Sequence, residues 1–205
     1  PEAALPAPAA EARCELIDRR GADPWDALAE FPDALLFSEA NAYPGLRTVD
    51  RYGLRAAADM VLLSPPPSAR LLDEAAARSG ARRLVLAWPT LAPPEEERFL
   101  PTLLHLVNEA MAASPYVSVA RLAVRTGELE IVIRLALEVL AESDLLAIDE
   151  EEGEVLRLRR RTDGRGIKES AALERMRFLL GESRAFRRFL RTALLPAVER
   201  VIYSA

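Results

Sequence analysis

The stretch Asp59–Pro89, DMVLLSPPPSARLLDEAAARSGARRLVLAWP, decides the fold class. DMVLLS (59–64) is a compact apolar strand, and Pro65, Pro66 and Pro67 end it because proline cannot extend a hydrogen-bonded ladder. Ser68 is placed to cap the helix that follows, and Gly80 to stop it. Leu71, Leu72, Ala75 and Ala76 form that helix's apolar stripe. RLVLAW (83–88) is a second buried strand, ended by Pro89. Strand, helix, strand in so short a span is the repeating unit of a parallel sheet with crossover helices. Toward the N-terminus the same alternation continues. CELID (14–18) reads as a strand, WDALAEF (25–31) as a helix with Pro24 in its first turn, and ALLFS (34–38) as another strand. LRTVDRYGLRAAA (46–58) has helical character weakened by Gly53. The turns SEANAYPG (38–45) and SPPPSAR (64–70) are neither GxGxxG nor a P-loop, so the sheet is expected to serve as core rather than hold a nucleotide.

Beyond residue 90 the pattern changes. PPEEE (93–97) opens a helix whose main part starts at Pro101 and runs through LLHLVNEAM (103–111). SVARLAVRT (118–126), ended by Gly127, and ELEIVIRLALEVLAES (128–143) are two further helices. LLAI (145–148) and EVLRLR (154–159) flank an acidic turn, DEEEG (149–153), which reads as a β-hairpin with Gly153 in the turn. Helix, tight turn, helix, hairpin is the order of a winged helix. KESAALERMRFLLG (168–181) reads as a helix stopped by Gly181. Ser183 then caps a last helix with Phe186, Phe189, Leu190, Ala193, Leu194, Ala197 and Val198 on one face and a kink at Pro196. The expected architecture is α/β: residues 1–12 a linker, 13–90 a small parallel sheet with crossover helices, and 91–205 a winged-helix-like and helical subdomain.

Half of the 205 residues are hydrophobic, enough for a real core. No apolar run is long enough to span a membrane, and the Pro/Ala-rich start has no signal-peptide h-region. A cytoplasmic fragment of a longer protein is the expectation. Cys14 and His105 are the single cysteine and histidine, which excludes a disulfide framework, a Cys/His zinc site and a second histidine for catalysis. The charge is uneven. From Arg157 onward, twelve Arg and one Lys face five acids, whereas the preceding residues are strongly acidic. Arg159, Arg160, Arg161, Arg165, Lys168, Arg184, Arg187, Arg188 and Arg191 are therefore the candidate partner-binding residues, since the planar guanidinium suits carboxylate and phosphate. The second helix of the winged segment is a poor reader of duplex DNA. Its polar residues are Glu128, Glu130, Arg134, Glu138 and Glu142, and phosphates repel four carboxylates.

The order ELIDRRG (15–21), LLFS (35–38), ADMVLLSPPPSARLLDE (58–74) and LVLAW (84–88), followed by a helical segment, a winged helix and KES…LL (168–180), resembles the C-terminal domain of the bacterial single-stranded-DNA-specific exonuclease RecJ. Ser64 departs from the Asp common in that family at the end of its strand. The resemblance implies an accessory, non-catalytic domain. Its parent carries the Mn- or Mg-dependent nuclease core elsewhere and degrades single strands from the 5′ end. It also implies a protein partner, notably the acidic C-terminal tail of single-stranded-DNA-binding protein. Direct contact of the basic C-terminal surface with single-stranded DNA is the alternative, and an independent enzyme on the α/β sheet a third reading.

Overall fold

In the computed structural model, which describes residues 14–40, 43–89, 96–161, 164 and 166–202, five parallel strands form one sheet. Their spatial order is β1 (Glu15–Asp18), β5 (Arg83–Leu86), β4 (Asp59–Leu62), β2 (Leu35–Phe37) and β3 (Thr48–Val49). Met60, Val61 and Leu62 are buried in succession, as are Leu84, Val85 and Leu86. That is the mark of strands covered on both faces. Helix α1 (Pro24–Glu30) covers one face with Ala27, and Phe31 follows just after it. Asp23 caps α1 by accepting the Trp25 N–H at 3.0 Å. Helix α2 (Ala69–Ser79) covers the other face with Leu72 and Ala75. Its Ser68 cap accepts the Leu71 N–H, and Gly80 ends it in the left-handed conformation that favours glycine.

The second lobe has the element order of a winged helix. Helix α3 (Phe99–Ala113), strand β6 (Tyr116–Ser118), helices α4 (Val119–Thr126) and α5 (Glu130–Glu142), and the hairpin β7 (Leu146–Glu152)–β8 (Val155–Arg160) follow in that order. The three strands pair antiparallel in the order β6-β8-β7. Helix α5 is buried nearly all round by Val132, Ile133, Leu135, Ala136, Leu137, Val139 and Leu140, so it serves as the core of its lobe.

Helix α6 (Ala171–Thr192) joins the lobes. At 1.5 Å per residue it is about 33 Å long. Leu173, Met176 and Leu180 in its first half enter the winged-helix core, and Leu190 near its end enters the sheet core. Helix α7 (Leu195–Ile202) adds Val198 and Ile202 to the same sheet face.

Several expectations are corrected. Gly181 does not stop a helix and Ser183 does not cap one, because α6 runs through both. A helical glycine costs about 1 kcal/mol, and burial of Leu180, Ser183, Arg187 and Leu190 on either side offsets it. Pro196 does not kink a helix; it sits in the first turn of α7, where its missing N–H costs nothing. The acidic run 149–152 is strand rather than turn, and the turn is at Gly153. Residues 46–58 contain the short β3 and no helix. Pro101 lies in the first turn of α3, which begins two residues earlier than expected. The linker at 1–12 and the helix opening at Pro93, Pro94 and Glu95 lie outside the described residues.

Candidate functional site

Parallel sheets bind ligands outside the carboxyl ends of neighbouring strands whose connections leave in opposite directions. In this sheet those strands are β2 and β4: the chain leaves β2 toward β3, and leaves β4 through α2 toward β5. The crevice there is filled by the chain itself. The Glu39 N–H donates to Ser64 Oγ at 2.8 Å. The Ala40 N–H donates to the Val124 carbonyl of the second lobe at 2.9 Å. Arg51 donates through Nε to Glu39 Oε1 at 2.7 Å, and through Nη2 to the Glu128 carbonyl at 3.0 Å. Arg187 reaches in from α6. Its Nη1 donates to Glu128 Oε1 at 2.5 Å, its Nε to the Pro65 carbonyl at 3.2 Å, and its Nη2 to the Gly127 carbonyl. Ser183 Oγ donates to the other Glu128 oxygen at 2.7 Å. Both ion pairs are nearly closed to water. Burial opposes the Arg51 charge, yet the bond to Glu39 and its charge hold that guanidinium above its ordinary value. Gly127 makes the close approach possible. Its φ is +70°, and a Cβ there would stand 3.0 Å from the Ala40 Cβ.

An open cleft of about 570 Å³ lies beside this joint, between α2 and the start of α5. Leu54, Leu71, Leu129 and Ile131 give it apolar walls. Arg70 and Arg78 stand on the α2 side, with Glu74 and Glu130 also at the rim. Arg70 pairs with its exposed i,i+4 partner Glu74 at 2.8 Å, and Arg78 Nη1 donates to the Arg51 carbonyl at 2.6 Å. The Tyr52 hydroxyl donates to Glu130; burial and that carboxylate push the phenol well above its ordinary value.

Eight of the nine cations expected to form one surface are among the described residues, and they fall into two groups. Arg159, Arg160, Arg161 and Lys168 lie on the hairpin and the approach to α6, whereas Arg184, Arg187, Arg188 and Arg191 lie in its second half. Seventeen residues of helix separate the α6 cap Ser170 from Arg187, about 26 Å. Much of the hairpin charge is spent locally. Arg159 pairs with Asp149 at 3.2 Å, and Arg161 and Lys168 both reach Asp144 at 2.7 Å. Lys168 first, then Arg161, hold the Asp144 carboxyl below its ordinary value, and Arg159 does the same for Asp149. Arg160 and Arg188 are exposed, Arg184 and Arg191 are half-buried, and Arg165 lies outside the described residues. Phe186 and Phe189, together with Leu190, pack on the sheet core.

The cleft residues carry no motif, and Arg70 and Arg78 look like ordinary solvated helix positions in the sequence. Only the juxtaposition of Leu129 and Ile131 with α2, across the two lobes, makes a cleft of them. Among the described residues no group of three or more His, Cys, Asp or Glu side chains is placed to hold a metal. No protein-family model, curated protein or solved structure matches the chain.

Proposed function

We propose that the chain is a non-catalytic interaction module of a single-stranded-DNA exonuclease of the RecJ type. Its ligand is an acidic peptide with an apolar end, such as the tail of single-stranded-DNA-binding protein. The observation that carries this reading is the filled crevice at the β2–β4 switch point. With the usual ligand position of a parallel sheet taken by Glu39, Arg51, Glu128 and Arg187, the chain acts through its outer surface. The cleft between α2 and α5 has the two features such a peptide needs: apolar walls for a terminal ring, and Arg70 and Arg78 for carboxylates. The RecJ resemblance supplies the kind of partner. Exposed ion pairs contribute about 0.2–1 kcal/mol each, so the ring must provide much of a micromolar affinity, about −8 kcal/mol.

Fluorescence anisotropy with a labelled acidic peptide ending in Phe tests this. The double variant Arg70→Glu/Arg78→Glu is expected to weaken binding about tenfold, and removal of the terminal Phe to weaken it as much. Arg159→Glu/Arg160→Glu is expected to leave affinity within about twofold, because Arg159 is already paired with Asp149. A loss confined to the hairpin variant moves the docking site to the basic C-terminal third. No binding by the parent chain ends the proposal.

A second reading, direct contact with single-stranded DNA, is favoured by one side chain. Phe178 on α6 is 66% exposed, with Arg175 one turn before it. An aromatic face beside cations is what a base stacks on. Phe178→Ala would then weaken oligonucleotide binding while leaving peptide binding unchanged.

A further inference from the structure

Helix α6 keeps one face in water along its whole length. Glu174, Phe178, Gly181, Ala185, Arg188 and Thr192 follow one another at alternating spacings of four and three residues, and all six are exposed. That alternation holds them on one stripe, as it holds the seam of a coiled coil. The stripe lies opposite Met176, Leu180, Ser183 and Arg187, which α6 buries in its own chain. The chain's own packing does not account for what the stripe contains. Phe178 is 66% exposed. Gly181 sits inside a helix, where glycine is unfavourable, yet a Cβ there would meet nothing within 4 Å. Nothing in this chain needs its small size, whereas a second backbone coming close from outside would. Among the described residues, neither Glu174 nor Arg188 has an ion pair, although Arg157, Arg159, Arg161, Lys168 and Arg177 all do.

The stripe is complementary to itself when reversed. Set antiparallel about the level of Ser183, a second copy brings its Ala185 to Gly181, its Arg188 to Phe178 and its Thr192 to Glu174. The small pair lets the two helix backbones approach closely. The guanidinium of Arg188 can lie on the face of the Phe178 ring, a favourable placement for a cation. It also comes within one helical turn of Glu174, about 6 Å along the axis, and so supplies the ion pair that each lacks in its own chain. Two-fold symmetry makes every one of these contacts twice. Beside the stripe, Glu182 and Arg184 come near their own counterparts. That repulsion, and the small area two single helices can cover, keep the association weak and reversible.

We propose that the exposed stripe of α6 is a self-association surface, on which a second copy of this chain docks antiparallel about a two-fold axis at the level of Ser183. This goes beyond the peptide reading and does not depend on it. Sedimentation velocity of the full chain, from about 1 µM to about 1 mM, tests it. The sedimentation coefficient is expected to rise with concentration from that of a monomer to that of a dimer. Phe178→Arg should abolish the rise, because it places a second guanidinium against Arg188. Adding Arg188→Glu should restore it, since positions 178 and 188 meet only across the two-fold axis; within one chain they are about 15 Å apart. Gly181→Gln should weaken the dimer about tenfold while raising the melting temperature of the monomer, as glutamine is the better helix former and meets no neighbour. That opposite pair of effects separates lost docking from lost folding, and it decides the matter if the Phe178 variants do not fold. A chain that stays monomeric up to about 1 mM overturns the proposal. If Phe178→Ala then also weakens oligonucleotide binding, the face belongs to single-stranded DNA instead. A dimer that Phe178→Arg and Gly181→Gln leave unchanged, or that the double variant fails to restore, overturns it equally.

Discussion

The interlobe joint and the wing hairpin use the same chemistry, Arg against carboxylate, and differ in what surrounds it. At the joint, Glu39–Arg51 and Glu128–Arg187 are almost closed to water, and the two guanidinium groups also donate to the Glu128 and Gly127 carbonyls. On the hairpin, Arg157–Glu150, Arg159–Asp149 and Arg134–Glu151 stand largely in solvent. Counting charges along the chain treats these as equal. Physically they are not, since a buried charge that loses its partner is stranded, while an exposed one returns to water. The joint therefore fixes how the lobes sit, and the hairpin pairs mainly keep an arginine-rich surface from repelling itself.

The contrast breaks most sharply at Glu128. Glu128→Ala should destabilise the fold by about 3–5 kcal/mol in urea denaturation, because it leaves the buried Arg187 unpaired. Adding Arg187→Met should recover much of that loss, as removing both partners of a buried pair is far milder than removing one. A single variant that behaves like the parent would mean that water reaches the joint. Gly127→Ala comes next, at about 2 kcal/mol, since φ of +70° disfavours any side chain and the new Cβ would crowd Ala40. On the hairpin, a double-mutant cycle on Arg159 and Asp149 should give a coupling barely resolvable by thermal melts, and smaller still in high salt. The smallest effect is the response to acid. Asp144 and Asp149 have depressed values in the folded chain, so their contribution is present above the ordinary carboxylate range and is lost only as pH falls through the lowered values. The melting temperature should show no loss from these pairs between pH 7 and about 5, and a small decline confined to pH below about 4. A decline near neutrality would need another group.

The same contrast explains what the sequence disclosed. The α/β pattern was legible because its signals are local: Ser68 and Gly80 bound α2, and Pro65 and Pro89 follow the strands they end. The winged-helix order was legible for the same reason, through Gly127 and Gly153. Helix α6 was misread because the forces that carry it through Gly181 are not local. Ser183 and Arg187 meet Glu128 across more than fifty residues of chain, and nothing in either segment marks the pairing. The run 149–152 was taken for a turn because four acids in a row look solvated. Their partners Arg157 and Arg159, across the strand, make it a ladder. The candidate cleft was illegible altogether, since its walls come from two lobes and its arginines occupy ordinary helix positions. Cys14, which the sequence marks only as a lone cysteine, packs half-buried at the sheet core, and burial pushes its thiol up to about 11.

The reach of α6 and α7 onto the sheet has a consequence for how the chain is made. The strands of the first lobe are complete by Leu86, yet the face that α2 covers in part is completed by Leu190, Val198 and Ile202. On a ribosome adding about 5–20 residues per second, the intervening hundred or so residues take on the order of 5–20 s to follow. Through that interval Leu62, Leu86 and Trp88 lack the cover of α6 and α7 and depend on α2 and its neighbours for shelter. The first lobe to be synthesised is thus the last to be finished, and a nascent chain stalled before residue 190 would present this apolar face to chaperones.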